Sequence, residues 1–505
     1  MKNSVTLWVV LLIFILLVLA EGDLSDLDAK ISQVVAPTSK FVSGIVFFSV
    51  PIFGVSVPLM VFWLVVASLI ATVYFRFINI RAFKHAFQLI RGDYSNPKDA
   101  GEVSHFQALT TALSGTVGLG NIAGVAIAVS VGGPGATFWM IVSGVLGMSL
   151  KFSECTLGVK YRNEYADGSV SGGPMYYLSK GLAERNLATL GKGLAVFYAA
   201  CCFLSALGGG NMFQANQCFR QFVNVTGGEA SFMADKGWLF GFVLAIMLGI
   251  VIIGGIKSIA KVTEKIVPLM AAIYVGAALV IIIGHIEKVP GAFAAIIDGA
   301  FSAPGVAGGV LGALVQGFKR AAFSNEAGVG SAAIAHSAVR TKEPITEGIV
   351  ALYEPLIDTV VICTMTALVI IITGSYSANA GMSGVALTSA AFESVIWWFP
   401  YVLALAIMLF AFSTMLSWAY YGSKCWAYLF GENRTMDMIY KLIYCCFVII
   451  GCTMSLKPVV DFADSSVFIM AVANIIGLYI LFPVVKTELD SYWSRLKSGR
   501  IKRYR

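Results

Sequence analysis

The sequence predicts an all-α polytopic membrane protein of about eleven spans, and three observations carry that expectation. The chain has 505 residues, 58% of them hydrophobic and 12% charged, with a mean hydropathy of +0.82; a soluble globular chain carries about 25% charged residues. Apolar segments about as long as a bilayer core is thick recur between polar loops. Two of these segments are interrupted by glycine and polar residues, as helices are where they unwind to present backbone to a cargo.

In chain order, Lys2 precedes an apolar run from Leu7 to Ala20 that ends in small residues before Glu21. This predicts a signal peptide at 1–20, an uncleaved anchor helix being the alternative. Residues 21–56 read as an extracytoplasmic amphipathic segment. Spans follow near 57–76, 105–131, 136–160, 194–222, 238–257, 263–285, 305–324, 346–374, 398–429, 438–456 and 464–486. Together 57–490 form one integral membrane domain, and 491–505 form a basic tail. Lys and Arg fall in alternate loops, among them Arg76, Arg81, Lys84 and Arg91, then Lys160, Arg162 and Lys180, then Lys257 and Lys261. Positive loops face the cytoplasm. That places the mature N-terminus outside, the tail inside and the chain in the cell (inner) membrane. The net charge of +7 is explained by those loops, and no basic, aromatic-interleaved run points to nucleic acid.

The most informative stretch is 110–135, TTALSGTVGLGNIAGVAIAVSVGGPG. A glycine costs about 1 kcal/mol against alanine inside a helix, and unsatisfied backbone in hydrocarbon costs several kcal/mol per group. Gly115, Gly118, Gly120 and Gly124 beside Thr116 and Asn121 favour a helix that unwinds at mid-membrane over close packing through small residues. Residues 317–331, GFKRAAFSNEAGVGS, look like the inner end of a second interrupted span. Each broken span opens a block of five, 105–285 and 305–486, which is the pattern of a 5+5 inverted repeat around a central site. Lys319, Arg320 and Glu326 are expected to form a cytoplasmic gate rather than to touch cargo.

Other spans carry isolated polar groups. Gln214 and Asn216 follow Gly208-Gly209-Gly210-Asn211. Ser413, Thr414 and Ser417 share part of one helical face, with Trp418 a turn beyond Thr414. Hydroxyls and freed carbonyls make an oxygen cage suited to sodium; bonding between helices is the alternative. Glu154 and Asp358 are carboxylates inside spans, open to a proton role, a structural pair or a place nearer the membrane face. Nine cysteines read as small packing residues. The four histidines pair nowhere at ligand spacing, so a structural metal is not expected. No GxSxG, HExxH or Walker motif is present, so no enzyme is expected.

Long ordered stretches carry a resemblance: SHFQALTTALSGTVGLGNIAGVA at 104–126, GGPGATFW at 132–139, GGPMYYL at 172–178, FSNEAGVGS at 323–331 and FAFSTMLSWAYYGSKC at 410–425. From about 57 to 490 the chain resembles the alanine or glycine:cation symporters, also called sodium:alanine symporters. The resemblance implies a leucine-transporter-like fold with one extra N-terminal helix at 57–76. It implies sodium held by carbonyls of Ser114 and Val117 and hydroxyls of Ser413 and Thr414. A small neutral amino acid, alanine or glycine, would lie against Thr116 and Gly118 of the break, with Gln214 and Trp418 as further contacts and Trp418 as the roof. Asn121 and Gln316 are further candidates, Gln316 at a position expected to vary within the family. The implied function is sodium-coupled uptake of that amino acid by alternating access across the lipid bilayer. A proton-coupled or other-solute carrier of the same fold is one rival; a sensor or channel is another, but the sequence shows neither an output domain nor a continuous polar pore stripe. Oligomeric state stays open.

Overall fold

The structure is a computed structural model that describes residues 37, 40–52, 55–97, 99–166, 168–301, 309–378 and 381–504. The expected signal peptide at 1–20 and the start of the amphipathic segment lie outside the described residues. The described end of that segment is an antiparallel hairpin of β1 (Ser49–Ile52) and β2 (Val55–Pro58), which leads straight into α1 (Leu59–Tyr74).

Helix α2 (Phe83–Ile90) precedes the first broken helix, α3 (His105–Thr116) and α4 (Val125–Gly132), joined through a π-helical turn at Gly120–Gly124. Then come α5 (Gly135–Lys160), α6 (Pro174–Ala183), α7 (Ala188–Leu207) and α8 (Phe213–Val225), with a second π-helical turn at Gly208–Met212. The chain continues through α9 (Gly237–Ile252), α10 (Gly255–Gly284) and α11 (Val289–Phe301) to the second broken helix, α12 (Gly309–Asn325) and α13 (Ala332–His336). It ends with α14 (Pro344–Ala351), α15 (Thr364–Ile372), α16 (Val385–Glu393), α17 (Phe399–Phe430), α18 (Arg434–Thr453) and α19 (Leu456–Lys497).

Among the described residues, seven helical stretches are long and apolar enough to cross a membrane: Gly135–Lys160, Ala188–Val225, Gly255–Gly284, Pro344–Ile372, Phe399–Phe430, Arg434–Thr453 and Leu456–Lys497. An eighth counts if His105–Thr116 and Gly120–Gly132, bent by 50° to one another, are one span. Leu59–Tyr74 and Gly237–Ile252 are shorter apolar helices. Large aliphatic side chains such as Ile250, Val280 and Ile283 point outward and exposed, which suits a surface solvated by lipid rather than water.

Local chemistry sets the helix ends. A capping box starts α3: Ser104 Oγ accepts from the Gln107 amide at 3.2 Å, and Gln107 Oε1 accepts from the Ser104 amide at 3.1 Å. Pro344 opens α14, where its missing N–H is no loss. Close helix contacts rest on small residues: a Cβ on Gly317 would meet the Ala136 carbonyl at 2.5 Å.

One side of the bundle carries the basic tail, whose Tyr504 amide donates to the Asp93 carbonyl at 2.7 Å. On this tail side the two broken helices are tied together. Val103 and Val339 form a parallel bridge, and the Arg340 amide donates to the Val103 carbonyl at 2.8 Å. The buried Arg162 guanidinium closes the knot. Its Nη1 donates to the carbonyls of Ser337 (2.9 Å) and Val339 (2.6 Å), and its Nη2 to those of Ala100 (2.9 Å) and Thr341 (3.0 Å). Lysine cannot reproduce that planar fork. Arg162→Lys is expected to destabilise the protein by about 1–3 kcal/mol, read as an earlier thermal unfolding midpoint in detergent, while an exposed control such as Arg434→Lys leaves it unchanged.

Candidate functional site

The first break is built by residues that replace lost helix bonds. Val117 leaves the helix at ψ 84. The Gly118 amide then turns to the Thr116 carbonyl (2.9 Å) and to Asn121 Oδ1 (2.9 Å). Gln214, at the start of α8 beyond the glycine-rich π turn, accepts from the Leu119 amide at 3.1 Å and donates to the Gly209 carbonyl at 3.0 Å. Gln214 therefore brackets two irregular backbones at once.

Helix α17 lies along this break. Ser114 Oγ donates to the Ser413 carbonyl (2.6 Å), and Ser417 Oγ to the Thr111 carbonyl (2.7 Å). The Ser413 hydroxyl turns into its own helix, to the Phe410 carbonyl at 3.0 Å. Thr414 differs: its Oγ1 is buried with no hydrogen-bond partner. A Cβ on Gly118 would collide with that oxygen and meet Gln214 Oε1 at 3.1 Å, so only glycine lets Thr414 and Gln214 close on the break. A buried hydroxyl with no partner is costly, and an orphan oxygen beside freed backbone is the chemistry a small hard cation completes. The structure thus brings together Ser114, Val117, Gly118, Gln214, Ser413 and Thr414. The Thr116 hydroxyl is turned back onto its own helix, 3.3 Å from the Ala112 carbonyl.

Asn121 joins the break to a second polar cluster. Its Nδ2 donates to Asp358 Oδ1 (2.6 Å) and to the Asp358 carbonyl (3.0 Å). Asp358 lies in a third wide turn, Leu356–Cys363, and also accepts from Ser324 Oγ (3.1 Å) and Thr359 Oγ1 (2.7 Å). Asn325 Nδ2 donates to Thr359 Oγ1 at 2.9 Å. Both breaks therefore converge on a fully buried carboxylate whose hydrogen-bond donors are neutral, and no cation pairs with it among the described residues.

The second break, 326–331, has left-handed backbone at Glu326 (φ 56), Gly328 (φ 87) and Gly330 (φ 89). Glu326 accepts from Trp418 Nε1 at 3.2 Å and from Ser331 Oγ. Asn474 Nδ2 donates to the Gly328 carbonyl (2.9 Å) and to Glu154 Oε1 (2.7 Å), while Glu154 Oε2 is buried without a partner.

The structure locates Trp418 and changes three expectations. Trp418 is a turn nearer the tail side than Thr414, packs where a Cβ on Gly210 would overlap its indole, and bonds Glu326 on that side. Residues 317–331 are not an inner end: Lys319 and Arg320 sit on the opposite side of the break from the tail, both paired with Asp464 near the start of α19, with Lys319 Nζ 4.1 Å over the Phe47 ring. Glu326 lies at the break itself. Gln316 packs beside Gly132 at the far end of α4, away from both breaks.

Sequence reasoning missed a buried charge cluster. His105, Glu347, His336, Glu354 and Lys151 form a linked chain of side chains. The two histidines, remote in sequence, meet through Glu347. Cys155, His336 and Glu354 come close enough together to suggest a metal site. His336 and Glu354 are instead bonded to each other and Glu354 to Lys151, so the donors are already matched. Lys151, a lysine in the interior of a long apolar helix, is the readable signal.

Trp418→Phe removes the N–H donated to Glu326 together with the five-membered ring of the indole. Thermal unfolding in detergent should show about 1.5–3 kcal/mol of lost stability; an unchanged midpoint removes that bond from the account.

Comparison with known proteins agrees with this geometry. A family model described as the sodium:alanine symporter family matches residues 43–505. The sodium/alanine symporter AgcS of Methanococcus maripaludis is 39% identical over 86% of this chain and 94% of its own. The amino-acid carrier protein AlsT of Bacillus subtilis is 34% identical over 86% of this chain and 89% of its own. GlnT of Bacillus subtilis, whose sodium/glutamine symporter name is provisional, is 35% identical over 84% and 86%. Among solved structures, the crystal structure of MhsT in complex with L-phenylalanine superposes with a TM-score of 0.53 at 15% identity, over 78% of this chain and 99% of that one, a likeness of fold. With its two broken helices and leucine-transporter-like fold, this multi-pass membrane chain belongs to the sodium:alanine symporter family, and it is a transporter rather than an enzyme.

Proposed function

We propose that the protein couples entry of sodium to uptake of a small neutral amino acid, alanine or glycine, by alternating access. In this reading 59–74, 237–252 and the broken helix 309–336 complete an eleven-pass, 5+5 arrangement, with the tail in the cytoplasm of the cell (inner) membrane. The observation that carries it is the orphaned Thr414 Oγ1 facing the backbone of Ser114 to Gly118. There, carbonyls of Ser114 and Val117 with oxygens of Ser413 and Thr414 would hold sodium. The amino acid would lie against Thr116 and Gly118, between Gln214 and Trp418.

Charge supports cation coupling. Burying a carboxylate among neutral donors is expensive unless a positive group answers it, and Asp358 is such a carboxylate one side chain away from the break, through Asn121. Sodium and the ammonium group of an amino acid both supply that charge. The membrane potential adds about 2.3 kcal/mol per charge per 100 mV. Size supports a small cargo, because Gly118 is already crowded by Thr414 and Gln214, and a crowded site rejects bulk by clash. The glutamine name of a relative favours a second reading, the same machinery with a larger neutral amino acid.

In proteoliposomes, labelled alanine uptake should collapse when outside sodium is replaced by choline; undiminished uptake would show that sodium is not the driver. Glycine and glutamine as competitors in the same assay decide the cargo. Thr414→Ala should raise the sodium concentration for half-maximal uptake about tenfold, since a bond to a charged group is worth about 1.5–3 kcal/mol; unchanged sodium dependence would remove Thr414 from the cage. Asp358→Asn retains an acceptor for Asn121 and Ser324 but removes the charge. It should depress sodium affinity at least as far as Thr414→Ala does, measured in the same uptake assay.

A further inference from the structure

The buried charge chain on the tail side stands apart from the cation cage, and its chemistry can be counted. Glu347 Oε2 faces His105 Nδ1, and Glu347 Oε1 faces His336 Nδ1 at 2.5 Å. Glu354 Oε1 faces His336 Nε2, and Glu354 Oε2 faces Lys151 Nζ at 3.2 Å. All five side chains are buried, the most accessible being His105 at 3%.

A neutral imidazole offers one donor and one acceptor. His336 has a carboxylate oxygen at each ring nitrogen, so a neutral ring would set an unprotonated nitrogen against an oxygen lone pair. One added proton removes the conflict. The imidazolium donates to both carboxylates, His105 donates through Nδ1, and Lys151 donates to Glu354, so each of the four carboxylate oxygens has one donor. Charge follows the same count: His336 and Lys151 positive and Glu347 and Glu354 negative sum to zero. With His336 neutral, the chain would bury a net negative charge, which is strongly unfavourable.

That sum covers the five linked side chains; two further buried carboxylates, Glu154 and Glu326, lie within electrostatic reach of Lys151. Helix α5 also brings Glu154, held by Asn474, and the thiol of Cys155. Helix α17 brings Tyr421, buried and with no partner at its hydroxyl. Glu326, at the start of the connector into α13, accepts from Trp418 and Ser331.

We infer that His336, between Glu347 and Glu354, is a proton-binding site that latches the tail-side end of the second broken helix. Its five members come from α3, α5, α13, α14 and the short turn Tyr353–Pro355. The proton is therefore held only while those elements stay together. Separating α13 from α5 and α14, as opening toward the tail side requires, withdraws both carboxylates and returns His336 to ordinary histidine behaviour. The proton leaves at that step. Transport in this protein then carries a pH dependence distinct from the Thr414 cage and independent of which amino acid is moved.

The chain contains four histidines, so ¹⁵N-histidine labelling of the detergent-purified protein resolves the question directly. At pH 8, above the usual histidine range near 6.5, one imidazole should show both nitrogens protonated. His336→Gln should delete that signal, and Glu354→Gln should convert it to a singly protonated ring. Alanine counterflow should change several-fold between pH 6 and 9 in the wild type and lose that dependence in Glu354→Gln. Four neutral imidazoles at pH 8, a doubly protonated signal that survives His336→Gln, or identical pH profiles would overturn the inference. If His336→Gln does not fold, the wild-type spectrum and Glu354→Gln decide alone.

Discussion

Backbone in hydrocarbon must find its hydrogen bonds inside the protein, and this constraint organises the molecule around its two broken helices. Each break frees amides and carbonyls that water cannot reach. Side chains answer them: Gln214 and Asn474, from other helices, take the Leu119 amide and hold the Gly328 carbonyl, and Asn121, within the first break, takes the Gly118 amide. The supporting helices are themselves irregular where they meet the breaks. The π-helical turn at Gly208–Met212 sits beside Gln214, and that at Leu356–Cys363 carries Asp358. Wide turns of this kind are rare and gather at functional places.

Around the first break most of those supports are matched, and Thr414 stands out against them. The hydroxyls of Ser114, Ser413 and Ser417 beside Thr414 all have partners, while its own oxygen has none. The tail side shows the opposite economy: Arg162 gathers four carbonyls, and the chain from His105 to Lys151 pairs every carboxylate oxygen it contains. The molecule combines a closed, charge-balanced tail side with an unfinished oxygen site at its centre. That combination suits a carrier whose cargo completes the site before the tail side lets go.

Much of this was legible in the sequence. Glycines with hydroxyls and an amide inside an apolar run located the first break, and the face of Ser413, Thr414 and Ser417 located its partner, because both signals are local. What failed was relational. Trp418 lies on the tail side of Thr414 because the direction of α17 and the glycine surface at Gly210 decide which way the indole lies, and spacing carries neither. Lys319 and Arg320 changed sides because the second broken helix runs toward the tail from 309 to 336, so its charges lie before the break; their partner Asp464 is remote in sequence. Gln214 also holds irregular backbone with both ends of its amide, a role that sequence position does not carry. The histidine–glutamate chain escaped notice because five single residues on separate elements form no motif until the fold assembles them.

The central claim is that one cation and one amino acid complete the same unfinished site, so each must strengthen the other's binding by an equal factor. Equilibrium binding to the purified protein measures this most directly: sodium affinity with and without saturating alanine, and alanine affinity with and without saturating sodium. The account predicts two matching enhancements. Sodium and alanine that bind with the same affinities alone and together would contradict it.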